Sequence, residues 1–200
     1  MIKMIRPKKT SPKTLIANYW VFSTELGWMV AVGQNGVLNF LSIGHPSEIA
    51  ARKAIANDVT MDVALDAEEK NWCSQLVRRL QAFAKRPSHG DQNVNHPLVD
   101  FQDVLIDDET WTPFQRKVLQ ACRKIAPGKT LTYAEMAEKV GSPGAARAVG
   151  NCMARNRFPL IIPCHRVVGS NGHLGGYSAA EGIPFKKRLL ELEAAAKMLK

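Results

Sequence analysis

The sequence lacks the features of a membrane or secreted protein. None of its hydrophobic runs approaches the roughly 18 uninterrupted apolar residues of a membrane span. Residues 1–14 are basic with no apolar core behind them, which excludes a secretory signal and favours a disordered tail. We therefore expect a protein without membrane contact that stays inside the cell, in the cytoplasm of a prokaryote or in the nucleus of a eukaryote.

Cysteine is scarce, and no two cysteines form a CxxC pair. Such spacing is typical of reduced thiols and unlike a disulfide framework or a zinc ribbon. The histidines of the N-terminal half also lack ligand spacing, so we predict no metal. The residues concerned are Cys73, Cys122, Cys152, Cys164, His45, His89 and His96.

Acidic residues are few in the C-terminal half. Residues 111–200 carry 15 Lys and Arg against 5 Asp and Glu, net +10, whereas residues 1–110 carry 12 against 13, net −1. A cationic surface attracts polyanions and speeds encounter with nucleic acid. Many basic proteins bind no DNA, so the charge alone decides nothing.

The first half predicts a small antiparallel sheet. Strands are expected at residues 18–23, 28–32 and 37–43, the last two joined by the hairpin dipeptide Asn35-Gly36. A helix opening at Asp66 and Glu69 follows, then a loop over residues 85–97.

A further strand through Val99, Phe101 and Leu105 ends this half, and a composition shift near residue 107 marks a domain boundary. The predicted fold class is α+β. After the basic tail, an N-terminal domain with helices on the sheet spans residues 15–107, and a mainly helical domain spans residues 108–200.

The second half carries clear helix signals. Thr112, Pro113 and Gln115 form a capping signature, and Thr132 with Glu135 forms another. The second of these helices ends at Gly141, after which Ser142-Pro143 restarts a third helix to about Ala154. Two helices joined by a glycine turn predict a helix-turn-helix.

The third helix is unusual in its small side chains. Ala145, Ala146, Ala148 and Gly150 leave one surface nearly bare beside Arg147. These residues could pack against a neighbouring helix, or they could let the backbone approach a nucleic acid closely. The basic excess favours DNA.

The tetrapeptide Pro163-Cys164-His165-Arg166 follows an apolar run and precedes two valines. A buried Cys beside a satisfied core His is the simplest interpretation of such a segment, but burying His and Arg is costly without partners. A thiol of pKa about 8.5 needs a base or a positive field to act as a nucleophile, and both lie adjacent. Neighbouring side chains of an extended segment face opposite ways, so His165 is poorly placed to touch Cys164 directly.

These residues resemble the O-6-alkylguanine-DNA alkyltransferases, also called methylated-DNA-protein-cysteine methyltransferases. The resemblance covers about residues 112–193. It is carried by Thr132-Tyr133, by residues 146–150, by Asn156, by the block 161–168 with its PCHR, and by Gly176-Tyr177-Ser178.

The resemblance implies a single-turnover methylated-DNA-protein-cysteine S-methyltransferase that needs no cofactor. Cys164 would accept an alkyl group from O6 of guanine, and also from O4 of thymine, in duplex DNA. His165 would act as its base through a water, and Glu193, in preference to Glu191, would orient His165. Asn156 would bridge the helix-turn-helix to the active-site segment.

The resemblance also implies the substrate and DNA contacts. Arg147 would fill the gap left by an extruded base, with the helix in the minor groove. Tyr133 would donate to the guanine ring and crowd the target phosphate. The remaining substrate contacts are Pro159, Val167, Tyr177 and Ser178, and the remaining DNA contacts are Thr132, Ala145, Ala146, Gly150, Arg155 and Arg166.

Three functions therefore stand at this point. The first is suicidal alkyl transfer by a monomer acting on alkylated double-stranded DNA without an obligate protein partner. The second is a non-enzymatic protein of the same fold that binds damaged DNA, which would not need a thiol at position 164. The third is a Cys-His hydrolase, which leaves Arg147 and the helix-turn-helix unexplained.

Overall fold

The computed structural model describes residues 15–16, 18–55, 59–60, 67–85 and 99–198. The predicted disordered tail and most of the loop over residues 85–97 lie outside this part of the chain. The elements in chain order are β1 (Leu15–Ile16), β2 (Asn18–Thr24), β3 (Gly27–Gln34), β4 (Val37–His45), α1 (Glu48–Lys53), β5 (Val59–Thr60), α2 (Ala67–Ala84), α3 (Pro113–Arg123), β6 (Leu131–Thr132), α4 (Tyr133–Lys139), α5 (Ala146–Ala154), β7 (Val167–Val168) and α6 (Ile183–Met198).

The N-terminal sheet has the order β2-β3-β4 and is antiparallel, which confirms the predicted strands. Asn35 and Gly36 have φ of 53° and 74°, as a tight hairpin turn requires. Alternate residues of β3 face opposite ways. Met29 and Ala31 join the main core, whereas Val30 and Val32 pack on α1.

The predicted strand through Val99, Phe101 and Leu105 is wrong. The segment meets a strand only at its end, where the Leu38 N–H of β4 donates to the Leu105 carbonyl at 2.9 Å; before that point, a side chain binds its carbonyl groups. The Arg123 guanidinium donates to the carbonyl oxygens of Phe101 and Val104 at 2.8 and 2.5 Å. Phe101 and Val104 are buried, but Leu105 is 63% exposed.

Both predicted capping boxes are present. Thr112 and Gln115 exchange bonds of 3.0 and 3.3 Å at the start of α3, and Thr132 and Glu135 do so at 2.6 and 3.1 Å at the start of α4. Each pair satisfies two backbone N–H groups that the first helical turn leaves free. Cys122 of α3 is buried in the core.

The third helix begins later than predicted. Gly144 has φ +84°, a left-handed conformation that interrupts the helix after Pro143. As a result α5 starts at Ala146, and its N-cap residue Ala145 supplies no side-chain cap. Its end at Ala154 agrees with the prediction, and α4, the turn and α5 form the helix-turn-helix.

The prediction of an extended acceptor segment is wrong. Cys164–Arg166 forms one 3₁₀ turn, in which the Arg166 N–H donates to the Pro163 carbonyl at 2.9 Å. The chain becomes extended only in β7, which pairs in parallel with β6. The turn buries Cys164, His165 and Arg166 together.

A single hydrophobic cluster continues across residue 107. It includes Leu41 and Ile43 of β4 as well as Ile161 and Phe185 of the second half. The division into two domains at this residue stays a prediction. Among the helices that the structure describes, none is long and apolar enough to cross a membrane.

Candidate alkyl-acceptor site

A cavity of about 680 Å³ lies between α5, the 3₁₀ turn Cys164–Arg166 and the segment that precedes α6. Seven residues predicted from the sequence line it: Tyr133, Ala146, Arg147, Gly150, Cys164, Tyr177 and Ser178. Asn151, Met153, Ala154 and Gly176 complete the wall and had not been predicted as site residues. The thiol and the exposed Arg147 therefore share one opening.

Cys164 is 4% exposed, and its sulfur is held by Asn156. The Asn156 Nδ2 lies 3.1 Å from the Cys164 Sγ and also donates to the Ile162 carbonyl at 2.8 Å, while its Oδ1 accepts from the Phe158 N–H at 3.0 Å. The Asn156 side chain thus binds both ends of the segment that runs from Phe158 to Cys164.

Burial raises the pKa of the Cys164 thiol. The hydrogen bond from Asn156, the positive charge of Lys186 and the backbone N–H groups of residues 164 and 165 oppose this rise. The thiol is therefore partly prepared for ionisation by groups that the protein itself supplies.

His165 and Glu193 meet behind the cysteine. Their Nε2 and Oε1 atoms lie 2.9 Å apart, and both side chains are almost fully buried. Burial would raise the pKa of Glu193, but its bonds with His165 and Arg166 outweigh burial and lower that pKa to about 2. An ionised carboxylate only accepts hydrogen bonds, so the His165 Nε2 carries the proton and Nδ1 is a free acceptor.

Burial lowers the pKa of His165, although Glu193 opposes it, and the imidazole is neutral at pH 7. Its Nδ1 has no partner among the described side chains and backbone groups. Glu191, the other candidate for orienting it, is exposed and pairs with Lys187 at 3.7 Å. Glu193 also accepts from the Gly128 N–H at 2.9 Å.

Arg166 does not contact DNA, and that prediction is corrected. Its guanidinium is 6% exposed and donates to Glu193 at 2.6 Å and to the Ile125 carbonyl at 2.5 Å. A buried guanidinium that is paired in this way cannot reach a phosphate. Arg166 instead neutralises the Glu193 carboxylate, which also binds His165.

Val167 is also corrected as a substrate contact. Its side chain is fully buried, and its carbonyl accepts a 2.6 Å bond from Lys186. Val167 is not among the residues that line the cavity.

Four further predicted residues lie at the margins of the site. Pro159 and Arg155 line an adjoining cavity of about 430 Å³ that shares Tyr177, Ser178 and Ala154 with the first. Thr132 caps α4, and Ala145 precedes α5 and packs on the core. Their predicted contacts with substrate or DNA remain predictions.

Lys186 is the residue that sequence reasoning missed. It is fully buried, and its Nζ donates to the carbonyl oxygens of Val167 at 2.6 Å and Leu174 at 2.5 Å. The ammonium lies 5.8 Å from the centre of the Tyr133 ring. Burial lowers its pKa from 10.5 to about 8. Lys186 lies two helical turns before Glu193, which had been predicted. This spacing on an otherwise apolar face could have revealed Lys186 as a second site residue.

Among the residues that the structure describes, no three His, Cys, Asp or Glu side chains cluster as a metal site would require. His45 bonds Ser42 through Nε2 at 2.7 Å, and Cys152 is buried in α5. His89 and His96 lie outside the described residues.

Comparison with known proteins agrees with this geometry. The family described as "6-O-methylguanine DNA methyltransferase, DNA binding domain" matches residues 113–195. The methylated-DNA–protein-cysteine methyltransferase of Methanothermobacter thermautotrophicus is 45% identical over 98 residues, which are 49% of this chain and 53% of that protein. That of Mycobacterium leprae is 46% identical over 112 residues, 56% of this chain and 66% of that protein.

Similarity of structure extends further along the chain. The crystal structure of Mycobacterium tuberculosis OGT in complex with DNA matches with a TM-score of 0.63 and 30% identity, covering 89% of this chain and 93% of that one. The chain belongs to the 6-O-methylguanine DNA methyltransferase family. In sequence, it spans about half to two thirds of the length of the curated relatives that it matches.

Proposed function

We propose that this protein repairs alkylated duplex DNA by moving an alkyl group from O6 of guanine, and from O4 of thymine, to Cys164. The observation that carries the proposal is the shared opening of Cys164 and Arg147, with a polar cluster behind the sulfur. Family membership and the basic second half support DNA as the partner.

The chemistry is a displacement at carbon. A water bridging the free His165 Nδ1 and the thiol takes the proton of Cys164 as it passes one of its own protons to Nδ1, and the thiolate attacks the alkyl carbon. A sulfur–carbon bond forms as the bond from carbon to O6 breaks, and its electron pair passes to the guanine ring. Tyr133 and Ser178, which line the cavity, donate hydrogen bonds to the purine as this charge develops.

The product is a thioether, which has no leaving group comparable to guanine. We therefore infer one turnover per molecule, by a monomer that needs no cofactor.

The target base must leave the duplex before it can enter this cavity, at a cost of a few kcal/mol. Arg147 is exposed at the rim and is suited to fill the gap in the stack. The small residues Ala146 and Gly150 beside it let α5 approach the minor groove closely.

Two observations disfavour the other functions. A protein that only binds damage would not need a thiol held by Asn156 at the wall of the cavity. A Cys-His hydrolase would need a ring nitrogen of His165 in contact with the sulfur, whereas Nδ1, the nitrogen not bound to Glu193, has no hydrogen-bond partner among the described residues.

Mass spectrometry after incubation with a duplex containing O6-methylguanine tests the proposal. We expect one added methyl group, on the peptide that contains Cys164. Cys164→Ala should bind the same duplex but gain no mass, and Cys152→Ala should react like the unsubstituted protein. Methyl addition to the Cys164→Ala protein would refute the assignment.

A further inference from the structure

Tyr177 is held in the acceptor cavity by ring packing. Its hydroxyl is buried close to the Cys164 sulfur but makes no well-aligned hydrogen bond with any described residue. Its ring stacks on Phe185, with centroids 6.2 Å apart and planes at 13°. The position of Tyr177 therefore depends on the position of Phe185.

Phe185 is in turn held by the N-terminal sheet. It is fully buried at the start of α6, and the Arg188 guanidinium carbon lies 5.2 Å from its ring centre. The backbone of β4 closes over the same ring at Gly44, where an added Cβ would lie 2.6 Å from the Phe185 Cε2. No real Cβ contact is that short, so only glycine leaves room for the ring.

Gly36 provides a matched comparison within the same sheet. Gly36 and Gly44 have φ of +74° and +76°, so a side chain strains the backbone equally at either position. A Cβ at Gly36 would meet nothing within 4 Å. The two positions thus differ in whether the added methyl group displaces Phe185.

We propose that β4 positions the Tyr177 ring against the alkyl group through the contact of Gly44 with Phe185, which makes the N-terminal sheet part of the acceptor site. The inference rests on the proposed function. It assigns Gly44 and Phe185 as positioning residues that act through Tyr177, which also borders the adjoining cavity where Pro159 lies.

The test compares Gly44→Ala with Gly36→Ala in the full chain. The rate constant and the stoichiometry of transfer from an O6-methylguanine duplex are measured separately, together with affinity for the unmodified duplex. We expect Gly44→Ala to transfer about tenfold more slowly than Gly36→Ala, because small displacements of positioning groups are costly. Duplex affinity should stay within about twofold, and the deficit should grow with O6-benzylguanine, whose ring needs a better-formed wall.

A fraction of misfolded protein would lower the stoichiometry and leave the rate constant of the active molecules unchanged, so the two causes are separable. Phe185→Leu provides a second variant should Gly44→Ala fail to fold, because it removes the stacked ring without adding volume. It should show the same slower rate constant at unchanged duplex affinity.

Equal rate constants for Gly36→Ala, Phe185→Leu and every folded Gly44→Ala preparation would overturn the inference. Absence of transfer by the unsubstituted protein would instead overturn the proposed function on which it rests. The two failures are thus distinguishable.

Discussion

The two halves of the molecule bury very different kinds of side chain. Among the described residues up to 107, Asn18 is the only buried polar side chain. The second half buries four titratable side chains, within 28 residues of one another in sequence: His165, Arg166, Lys186 and Glu193. The first half buries almost only apolar side chains, whereas the second half buries a polar cluster in addition to its apolar core.

This difference predicts that the free energy of unfolding and the rate of alkyl transfer depend on different residues. Burying an ion costs several kcal/mol that pairing only partly offsets, and apolar replacement of a buried pair is often neutral or stabilising. Three buried ions and a neutral imidazole near one thiol therefore mark a site in which charge has a use. Substitutions in the apolar core of the first half, away from the contact of Gly44 with Phe185, should change how much protein is folded, and substitutions in the buried polar cluster should change what the folded protein can do.

Glu193→Gln should have the largest effect on transfer. The amide cannot hold the His165 Nε2 proton as the carboxylate does, and it leaves Arg166 without its ion pair. We expect the rate constant to fall by more than about 100-fold. Single-turnover transfer from methylated duplex measures it, with the exposed Glu191→Gln as the matched control; equal effects at the two positions would contradict the prediction.

Glu193 should also govern acid stability. Its pKa is lowered from 4.5 to about 2 on folding, so its contribution is complete above pH 4.5 and is lost as the pH falls towards 2. That contribution is on the order of 3 kcal/mol. Denaturant unfolding at a series of pH values should show the loss in the unsubstituted protein and a flatter profile in Glu193→Gln.

Lys186→Met should come next, with about tenfold slower transfer at pH 7. Removal of the ammonium raises the pKa of the Cys164 thiol, and one pKa unit is tenfold in thiolate. In the unsubstituted protein, the rate should rise with pH and then flatten above pH 8 as Lys186 loses its proton. The variant should lack this bend. Lys187→Met, at a 67% exposed position, should behave like the unsubstituted protein.

Arg147→Ala should slow transfer from duplex by about tenfold while leaving the reaction with free O6-benzylguanine unchanged. The side chain is exposed at the cavity rim, and on the proposed mechanism it takes part in extrusion, which a free base does not require. Parallel assays on the two substrates measure the difference. An equal loss on both would place Arg147 in the chemistry.

Leu80→Ala should have the smallest effect on the rate constant, essentially none, despite a large effect on stability. Leu80 is fully buried in α2, and such truncations cost about 2 to 5 kcal/mol. Thermal unfolding and the rate constant per active molecule measure the two effects. A rate constant that fell with stability would remove the distinction between the halves.

The sequence was most informative where the signal is local. The hairpin at Asn35-Gly36 and the capping boxes at Thr112 and Thr132 depend on residues within a few positions, and all three are present. The start of α5 was misplaced because Gly144 overrides the helix-starting preference of Pro143.

Long-range pairing explains the remaining errors in the site. Arg166 in the sequence is a free cation near a basic surface, and only its contact with Glu193 makes it an internal group. Lys186 was missed because its partners are backbone carbonyls, which carry no side-chain signal. The irregular segment before residue 107 likewise depends on Arg123, which is distant in sequence.

The 28-residue interval between His165 and Glu193 has a consequence for synthesis. The ribosome makes the thiol and its imidazole first, and the carboxylate that fixes the imidazole follows roughly one to six seconds later at ordinary translation rates. Until α6 has emerged and docked, a nascent chain carries the cysteine without its charged surroundings. On the proposed mechanism, the site is therefore complete only once Glu193 has been made, and chains cut short before it would lack the carboxylate that orients His165.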